Sequence, residues 1–393
     1  MNYDFECIQI IPDISKESSG PSYSVVKLAE NLIDLNLKIT LATLDIGLPK
    51  NPPDFLYTFP LSYNSKRLGA SLRMKEWLKM KALIGKKKIF HNHGMWQNNS
   101  LYASKANKLS NSIYVSSPRG AFSEWAMQNG SRLKNIYWPI MQKPSLKNVS
   151  CFHATAYSEY LDIRRLGFKQ PITIIPNGVD VPTYYKDEKD NSKMSNKMKL
   201  LFLGRIHPKK GLEILLNSWK AVQNEFTNWE MFIVGNDLEY GHSTGYLEYI
   251  KDLSKTLKTE RIHFLGEKNS QEKFQIYQNC HLFVLPTYSE NFGMTVAESL
   301  AASTPVVVSK GAPWNQIEDK NAGWWIDINE NALTNCFRKA LKFSPEKLKE
   351  MGLNGKKWMM DDYSWTTVAK KMLNTYSWLN DKESKKPDYV ITD

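Results

Sequence analysis

Residues 281–305 read HLFVLPTYSENFGMTVAESLAASTP, and this stretch decides the fold. The opening apolar run is typical of a buried strand, and the apolar spacing from Gly293 onward predicts a helix that ends before the last proline. A strand that leads through a polar loop into a helix leaves backbone N–H groups at the start of the helix, where an anion binds well. Glu290 and Glu298 lie eight positions apart around this junction.

Length and composition predict a globular protein of two domains. The chain has 393 residues, of which 42% are hydrophobic and 23% are charged, and this is enough for two separate cores. No uncharged apolar run of about 18 residues occurs, so we expect no transmembrane helix. The acidic start lacks the basic region of a signal peptide. Four widely spaced cysteines without metal-type spacing favour free thiols in a reducing, cytoplasmic compartment.

The net charge of +12 is concentrated in the first half of the chain. Residues 1–180 carry 23 Lys and Arg against 13 Asp and Glu, whereas residues 181–393 carry 29 against 27. This excess indicates an anionic partner. Nucleic acid stays open as that partner, but an anionic membrane surface or a lipid-linked phosphate fits the rest of the chain better.

Residues 66–88 combine nine basic residues with apolar residues at helical spacing. This pattern fits a helix at a membrane interface and an ordinary surface helix equally well.

Strand and helix patterns alternate along the chain, which predicts a parallel sheet covered by helices in each domain. The first helix starts near Pro21, and its start beside Gly20 suits a phosphate or a plain cap equally well. Strands are predicted at 5–11, 38–44, 55–60, 88–94, 112–120, 149–156, 199–204, 229–235, 261–266, 281–286 and 304–309. Further helices are predicted near 211–225, 244–258, 270–279, 293–302, 313–320, 329–342, 345–360 and 365–380.

The stretch around Glu290 and Glu298 resembles the E-x7-E motif of retaining glycosyltransferases of family 4. Other motifs of that family occur in the family's order over nearly the whole chain. Each motif alone is a weak signal, whereas the ordered set is a strong one. The motifs are SSGPS near the N-terminus, HNHG at 91–94, SPRG at 117–120, IPNGVD at 175–180 and GRIHPKKGLE at 204–213.

The resemblance implies the GT-B fold, in which two Rossmann-like α/β domains face each other across a cleft. Residues 1–178 would form an acceptor-binding domain, residues 179–362 a nucleotide-sugar-binding domain, and residues 363–393 a helix that returns to the first domain, with a tail. The implied activity is retaining hexosyl transfer from a nucleotide-diphosphate sugar, without a cofactor, to a saccharide or polyprenyl-diphosphate-linked acceptor. Bacterial O-antigen, lipopolysaccharide or other surface-polysaccharide synthesis at the inner face of the cytoplasmic membrane is the expected setting.

The predicted donor site combines two cations and two carboxylates. Arg205 and Lys210 stand at a strand–helix junction, where a guanidinium and an ammonium can clamp a diphosphate, although surface cations are also common there. By resemblance, these two cations stabilise the leaving group, Glu290 faces the transferred sugar and Glu298 accepts hydrogen bonds from ribose hydroxyls. The resemblance assigns further substrate contacts to Gly20, Lys268, Asn291, Phe292, Gly293, Met294 and Thr295.

The predicted acceptor side lies in the first domain. His93 matches the second histidine of the H-x-H pattern of the family and would act beside the donor sugar, while His91 is expected to be structural. Arg119 and Glu124 are candidate acceptor contacts. Because the chain contains no Asp-x-Asp sequence, we predict no metal site and expect cations and helix starts to stabilise the diphosphate.

Two alternatives stay open on the sequence alone. One is another GT-B enzyme, such as a sugar-nucleotide epimerase or a sugar phosphorylase, although the two cations and two carboxylates favour transfer. The other is a basic nucleic-acid-binding protein that uses residues 66–88, although the chain contains no recognisable recognition module. We therefore expect no nucleic-acid partner. The sequence specifies neither the donor sugar and its base, nor the acceptor, the linkage or the oligomeric state.

Overall fold

The structure is a computed structural model that divides into two compact units. The first unit comprises Met1–Gly178 and Trp365–Asp393, and the second comprises Val179–Ser364. Residues 16–19, which include the first two serines of the SSGPS motif, lie outside the described residues, and so do residues 183–196, Lys66 and Arg67. The structure describes residues 3–15, 20–49, 51–62, 68–128, 132–182, 197–239, 242–381 and 383–392.

A parallel sheet forms the centre of the first unit. Its strand order is β7-β6-β5-β4-β1-β2-β3, and β1 pairs with both β2 and β4. The chain order therefore reverses between β1 and β4, and in open α/β sheets ligands bind outside the carboxyl ends of the strands at such a reversal. Strands β1–β7 are Phe5–Ile10, Ile39–Leu44, Leu56–Phe59, Lys87–His93, Ile113–Ser117, Cys151–Ala154 and Ile172–Ile174.

Helices cover this sheet, as the alternating pattern predicts. A π-helical segment at Trp138–Gln142 joins two of them. Helices α1–α7 are Gly20–Asp34, Leu72–Leu83, Asn98–Asn107, Glu124–Gln128, Arg132–Tyr137, Lys143–Leu146 and Tyr157–Arg165.

The predicted basic helix at 66–88 is wrong in its extent, because helix α2 covers only Leu72–Leu83. Ser71 caps the helix by accepting a hydrogen bond from the backbone N–H of Met74. The lysines at 87 and 88 belong instead to strand β4, where Lys88 stands opposite Glu6 of β1. Its ammonium is buried and lies 2.9 Å from the Glu6 carboxylate. Pairing with β1 therefore takes this lysine away from the surface.

The second unit repeats the doubly wound arrangement. Its main sheet is parallel with the order β12-β9-β8-β13-β14-β15, and the short strands β10 and β11 form a hairpin. The chain order reverses between β8 and β13. Strands β8–β15 are Met198–Leu203, Trp229–Val234, Leu238–Glu239, His242–Ser243, Ile262–Gly266, Leu282–Leu285, Val306–Ser309 and Gly323–Ile326. Helices α8–α13 are Leu212–Val222, Tyr246–Thr256, Ser270–Gln278, Met294–Ala301, Glu330–Ala340 and Pro345–Tyr363.

The helix predicted at 313–320 is wrong, because this segment consists of turns. A Cβ atom on Gly311 would lie 2.1 Å from the carbonyl oxygen of Thr287. Trp314 is buried, and its indole N–H donates to the carbonyl of Phe292 at 2.6 Å. These tertiary contacts override the local helical pattern. The strand Gly323–Ile326 that follows was missed, since four residues give too little periodicity to recognise.

After the second unit the chain returns to the first. Helix α14 (Trp365–Asn380) packs on α1, and strand β16 (Val390–Ile391) pairs antiparallel with β7. A Cβ on Gly178 would lie 2.4 Å from the ring of Trp365, so the absence of a side chain at 178 lets α14 begin there. The predicted fold class is confirmed: two parallel α/β sheets, with a C-terminal helix that returns to the first domain. No helix in the described part of the chain is both long and apolar enough to cross a bilayer.

Candidate active site

Two loops meet where the sheet of the second unit reverses its order. One loop follows β8 and covers residues 204–211, and the other follows β13 and covers residues 286–293. The backbone N–H of Tyr288 donates to the carbonyl of Lys209 at 2.8 Å, and the Thr287 hydroxyl donates to the same carbonyl at 3.0 Å. The predicted cations on one loop are therefore held beside the predicted carboxylate on the other.

Two glycines in left-handed backbone conformations make this approach sterically feasible. Gly211 has φ +69°, and a Cβ there would lie 2.0 Å from the carbonyl oxygen of Pro286. Gly293 has φ +84° and caps helix α11, and a Cβ there would lie 3.2 Å from the indole nitrogen of Trp314. L-residues with a side chain disfavour such φ values, so both positions favour glycine.

The Lys210 ammonium and the Glu290 carboxylate form an ion pair across the two loops. Their side chains are only 17% and 15% exposed, and the backbone N–H of Glu290 is fixed by the carbonyl of Gly311 at 2.7 Å. Burial lowers the pKa of the neighbouring Lys209, with opposition from Glu290 and support from the charges of Lys210 and Arg205. Three cations and one carboxylate thus lie within electrostatic range of one another, and a phosphate that enters the site meets an excess of positive charge.

Helix α11 begins directly after this pair. Its N-cap residue is Gly293, which has no side chain that could cap the first turn. The backbone N–H groups there therefore suit an anion. Phe292 is buried against Trp314 with ring centroids 5.1 Å apart, which fixes the direction in which the chain enters the helix. Met294 and Thr295 are half-buried in the first turn, and Asn291 is half-buried in the loop before it.

Glu298 lies on the second turn of α11 and accepts a hydrogen bond from the Tyr277 hydroxyl at 3.0 Å. Burial, reinforced by the charge of Asp180, raises the pKa of Glu298 to about 7, although Lys273 and Tyr277 oppose the rise. A carboxyl with this pKa can donate to a hydroxyl group as well as accept from one near neutral pH. Lys268 instead contacts Glu272 at 3.4 Å, and no contact among the described residues joins it to the Lys210–Glu290 pair.

A second polar cluster lies at the carboxyl edge of the sheet in the first unit. The Arg119 guanidinium donates to Nδ1 of His93 at 3.0 Å and to the Asn177 side-chain oxygen at 2.6 Å. Nε2 of His93 bonds to the Gln9 side-chain oxygen. His93 is fully buried, so direct contact with a sugar would require one of its two ring bonds to open. Its predicted role stays a prediction.

The same cluster continues away from Arg119 through buried polar side chains. Tyr376 on α14 bonds to Gln9 at 3.0 Å and to Nδ1 of His91 at 2.6 Å. Ser117 lies 2.7 Å from Nε2 of His91 and 2.8 Å from Nδ1 of His153. The series of hydrogen bonds ends at His153, whose Nε2 lies 2.8 Å from the carbonyl oxygen of Ile175.

Burial is the main cause that lowers the pKa values of all three histidines, and it lowers that of His153 to about 3. Burial also lowers the pKa of Arg119 to about 10, opposed by Glu159 and Tyr376. The imidazoles are therefore neutral at physiological pH, while Arg119 remains charged.

Two other predicted residues lie apart from these bonded groups. Gly20 begins α1 in a left-handed conformation, directly after the residues that are not described. Glu124 is exposed on α4 and lies 3.7 Å from Arg165. Sequence reasoning missed Gln9, His153 and Tyr376. The first two carried a usable signal, because a polar residue inside an otherwise apolar strand must find a partner when it is buried.

The two doubly wound sheets define the class of this protein, and solved structures with the GT-B fold match it over nearly the whole chain. Sucrose-phosphate synthase from Thermosynechococcus elongatus superposes with a TM-score of 0.75 at 19% identity, covering 96% of this chain and 100% of that one. The Anabaena protein HepE, solved in complex with UDP-glucose, gives a TM-score of 0.72 at 15% identity, covering 95% and 99%. At such identities the similarity establishes the fold alone.

Family models assign the chain more narrowly. The model described as glycosyltransferase family 4 matches residues 18–182, and the model described as glycosyl transferases group 1 matches residues 185–358. The chain belongs to this glycosyltransferase family, as the motifs predict. A curated relative, the lipopolysaccharide 1,2-N-acetylglucosaminetransferase of Salmonella typhimurium, is 25% identical over 211 residues, which are 51% of this chain and 55% of that protein. The chain spans about half the length of the curated relatives it matches.

Proposed function

We propose that this protein is a retaining glycosyltransferase that transfers a hexosyl group from a nucleotide-diphosphate sugar to a saccharide or lipid-linked saccharide. One observation carries the proposal: the Lys210–Glu290 pair, with Arg205 on the same loop, lies at the reversal point of a parallel sheet and directly before the start of α11. Cations and backbone N–H groups at a reversal point of this kind support the binding of a diphosphate there. The UDP-glucose bound by the structurally similar Anabaena protein supports a uridine nucleotide as the first donor to test.

Each group at this site has a distinct role in the proposed reaction. Arg205 and Lys210 bind the diphosphate and stabilise the negative charge that grows as it leaves. The first-turn N–H groups of α11, from Met294 onward, add partial positive charge. Glu290 accepts hydrogen bonds from the transferred sugar, and Glu298 bonds the ribose hydroxyls. We propose departure and attack on the same face of the sugar, with charge stabilisation as the main catalytic effect.

The first unit binds the acceptor in this proposal. Arg119 is the charged member of its polar cluster and holds Asn177 and His93 at hydrogen-bond distance. A guanidinium suits an acceptor that carries phosphate or several hydroxyl groups. The similarity to the Salmonella lipopolysaccharide enzyme supports surface-polysaccharide synthesis as the biological setting.

The test measures transfer from a panel of labelled nucleotide sugars to short saccharides and to polyprenyl-diphosphate-linked saccharides. We expect transfer from at least one uridine- or guanosine-diphosphate hexose, with the anomeric configuration retained in the product. Inversion of that configuration, or donor epimerisation without transfer, would contradict the proposal.

We expect transfer without a divalent metal ion. The described residues contain no cluster of three or more His, Cys, Asp or Glu that could hold a metal, whereas cations and a helix start are available for the diphosphate. Initial rates of chelator-stripped protein should change by less than about tenfold, equivalent to 1.4 kcal/mol, when Mg²⁺ or Mn²⁺ is added. Complete loss of activity in EDTA that one metal restores would show that a metal holds the diphosphate instead.

We also propose that helix α2 docks the protein on an anionic membrane surface. Leu83 and Ile84 at its end are 68% and 63% exposed, and Lys79 and Lys81 lie one turn before them. Binding to vesicles with anionic lipid should weaken as salt rises, since exposed charges are screened. Lys79→Gln with Lys81→Gln should weaken binding further.

Lys251→Gln with Lys255→Gln on helix α9 of the second unit gives a matched control that should bind vesicles normally. Lys88 is unsuitable for this test, because its ammonium is buried against Glu6. Vesicle binding that depends neither on salt nor on the α2 substitutions would show that α2 is not the membrane-binding surface.

A further inference from the structure

The hydrogen-bond chain in the first unit has a direction that its two ends fix together. At one end Arg119 can only donate, so Nδ1 of His93 accepts and its Nε2 carries the proton. That proton is donated to the Gln9 side-chain oxygen, which turns the amide nitrogen of Gln9 toward the Tyr376 oxygen. Since Tyr376 accepts from Gln9, its own proton can go to Nδ1 of His91 or to the neighbouring Cys7 sulfur.

The opposite end decides between these two acceptors. The carbonyl of Ile175 can only accept, so His153 carries its proton on Nε2 and its Nδ1 accepts from the Ser117 hydroxyl. Ser117 in turn accepts from Nε2 of His91, which leaves Nδ1 of His91 as an acceptor. Both deductions meet at Tyr376 and agree. Each hydrogen bond in this series therefore has a fixed donor and a fixed acceptor. No residue can exchange these roles unless its neighbours do so too.

We infer that Tyr376 is a positioning residue: through Gln9 and His93 it fixes the Arg119 guanidinium in the orientation that binds the acceptor. This inference rests on the function proposed above. Tyr376 lies on the returning helix α14, is fully buried, and makes no contact with Arg119 itself among the hydrogen bonds of the described residues. The Gln9 amide and the His93 imidazole connect its hydroxyl to the guanidinium, and each hydrogen bond along this path has a fixed donor and a fixed acceptor.

Two unfavourable features at Arg119 support a functional reason for this arrangement. Its backbone is left-handed, with φ +57°, although it is not glycine. Its buried Nε–H has no hydrogen-bond partner among the described residues. Strained conformations of this kind persist where the surrounding structure enforces them, and they cluster at ligand sites. The bonds to His93 and Asn177 are the restraints that hold this guanidinium, and the His93 bond depends on the chain behind it.

The experiment compares Tyr376→Phe with Tyr114→Phe in the transfer assay. Tyr114 is a matched control, since it is fully buried in the same unit and its hydroxyl donates to the carbonyl of Ser100 at 3.2 Å. Tyr376→Phe should raise the KM for the acceptor by about tenfold, the scale of one lost hydrogen bond. It should leave the KM for the donor unchanged, and Tyr114→Phe should change neither value more than about twofold.

A double-variant comparison tests whether the effect passes through Arg119. Arg119→Gln should weaken acceptor binding more than Tyr376→Phe does, and adding Tyr376→Phe to it should produce no further loss. Three results would overturn the inference. The first is that the effects of Arg119→Gln and Tyr376→Phe multiply in the double variant. The others are that Tyr114→Phe raises the KM for the acceptor equally, or that Tyr376→Phe raises the KM for the donor equally. If Tyr376→Phe does not fold, Gln9→Met interrupts the same chain and should give the same KM pattern.

Nitrogen-15 NMR of histidine-labelled protein separates this inference from the proposed function. In the wild-type chain, His91, His93 and His153 should all carry their ring proton on Nε2. Tyr376→Phe should shift the His93 ring signals, whereas Tyr114→Phe should not. A wild-type protein that transfers no sugar refutes the proposed function, while a Nδ1 proton on His93, or His93 signals indifferent to Tyr376→Phe, refutes the positioning chain.

Discussion

Alanine in place of Lys210 or Arg205 is expected to lower the turnover number for sugar transfer by about 10²–10³, the effect of losing one preorganised donor at a developing charge. The loop that carries both cations is fixed to the loop of Glu290 through Thr287 and Tyr288. The cations therefore need little reorganisation when the diphosphate leaves, and this is the condition under which such groups act strongly. Initial rates at saturating donor and acceptor measure the effect.

Lys210→Ala also leaves the half-buried Glu290 without its ionic partner, and an uncompensated charge of this kind destabilises a protein. Thermal melting of each variant must therefore accompany the rates. Lys209→Ala is the matched control, because it removes a neighbouring cation of the same loop, and it should cost less than about tenfold in rate. A folded Arg205→Ala, Lys210→Ala double variant that turns over almost normally would refute the assignment.

The sequence allowed the strand–loop–helix units to be placed, since these depend on local apolar periodicity. It could not reveal that Lys210 contacts Glu290 directly, because these residues are 80 positions apart. Their contact depends on Gly211 lying against the carbonyl of Pro286. The motif resemblance named both residues as site candidates, but only the tertiary structure shows them as a pair.

Contacts between distant parts of the sequence also explain one error and one incomplete prediction. The lysine-rich stretch before β4 reads as one basic helix, yet β-sheet pairing with Glu6 draws Lys88 inward. His91 was expected to be structural, and its burial agrees with that, but its partner Tyr376 stands 285 positions away on the returning helix. Long-range polar partners of this kind leave no periodic signal in the sequence. The unusual feature that can be recognised is a polar residue within an apolar strand, as at Gln9.

Acidification from pH 7.5 to pH 5 is expected to destabilise the first unit strongly. Its three buried histidines stay neutral when folded, because burial lowers their pKa values, whereas the unfolded chain takes up protons near pH 6.5. The unfolded state then binds more protons than the native state, so the free energy of unfolding falls as the pH falls. Each histidine should contribute about 2 kcal/mol of this loss at pH 5. Three such losses approach the roughly 5–15 kcal/mol stability of a whole domain.

The second unit should respond in the opposite sense over the same range. The pKa of Glu298 is raised to about 7, so its native carboxyl takes up a proton at a higher pH than it does in the unfolded chain. The stabilisation from this group is complete below about pH 4.5 and is lost as the pH rises through 7.

Hydrogen exchange at pH 7.5 and pH 5, corrected for the intrinsic rate, should show β1, β4 and β6 losing protection while β8 and β13 keep it. His153→Gln should reduce the pH dependence of the first unit by about a third, since it removes one of three titrating groups, and Glu298→Gln should leave that dependence unchanged. Equal loss of protection in both units, or none in the first, would mean that the buried histidines do not govern the acid response.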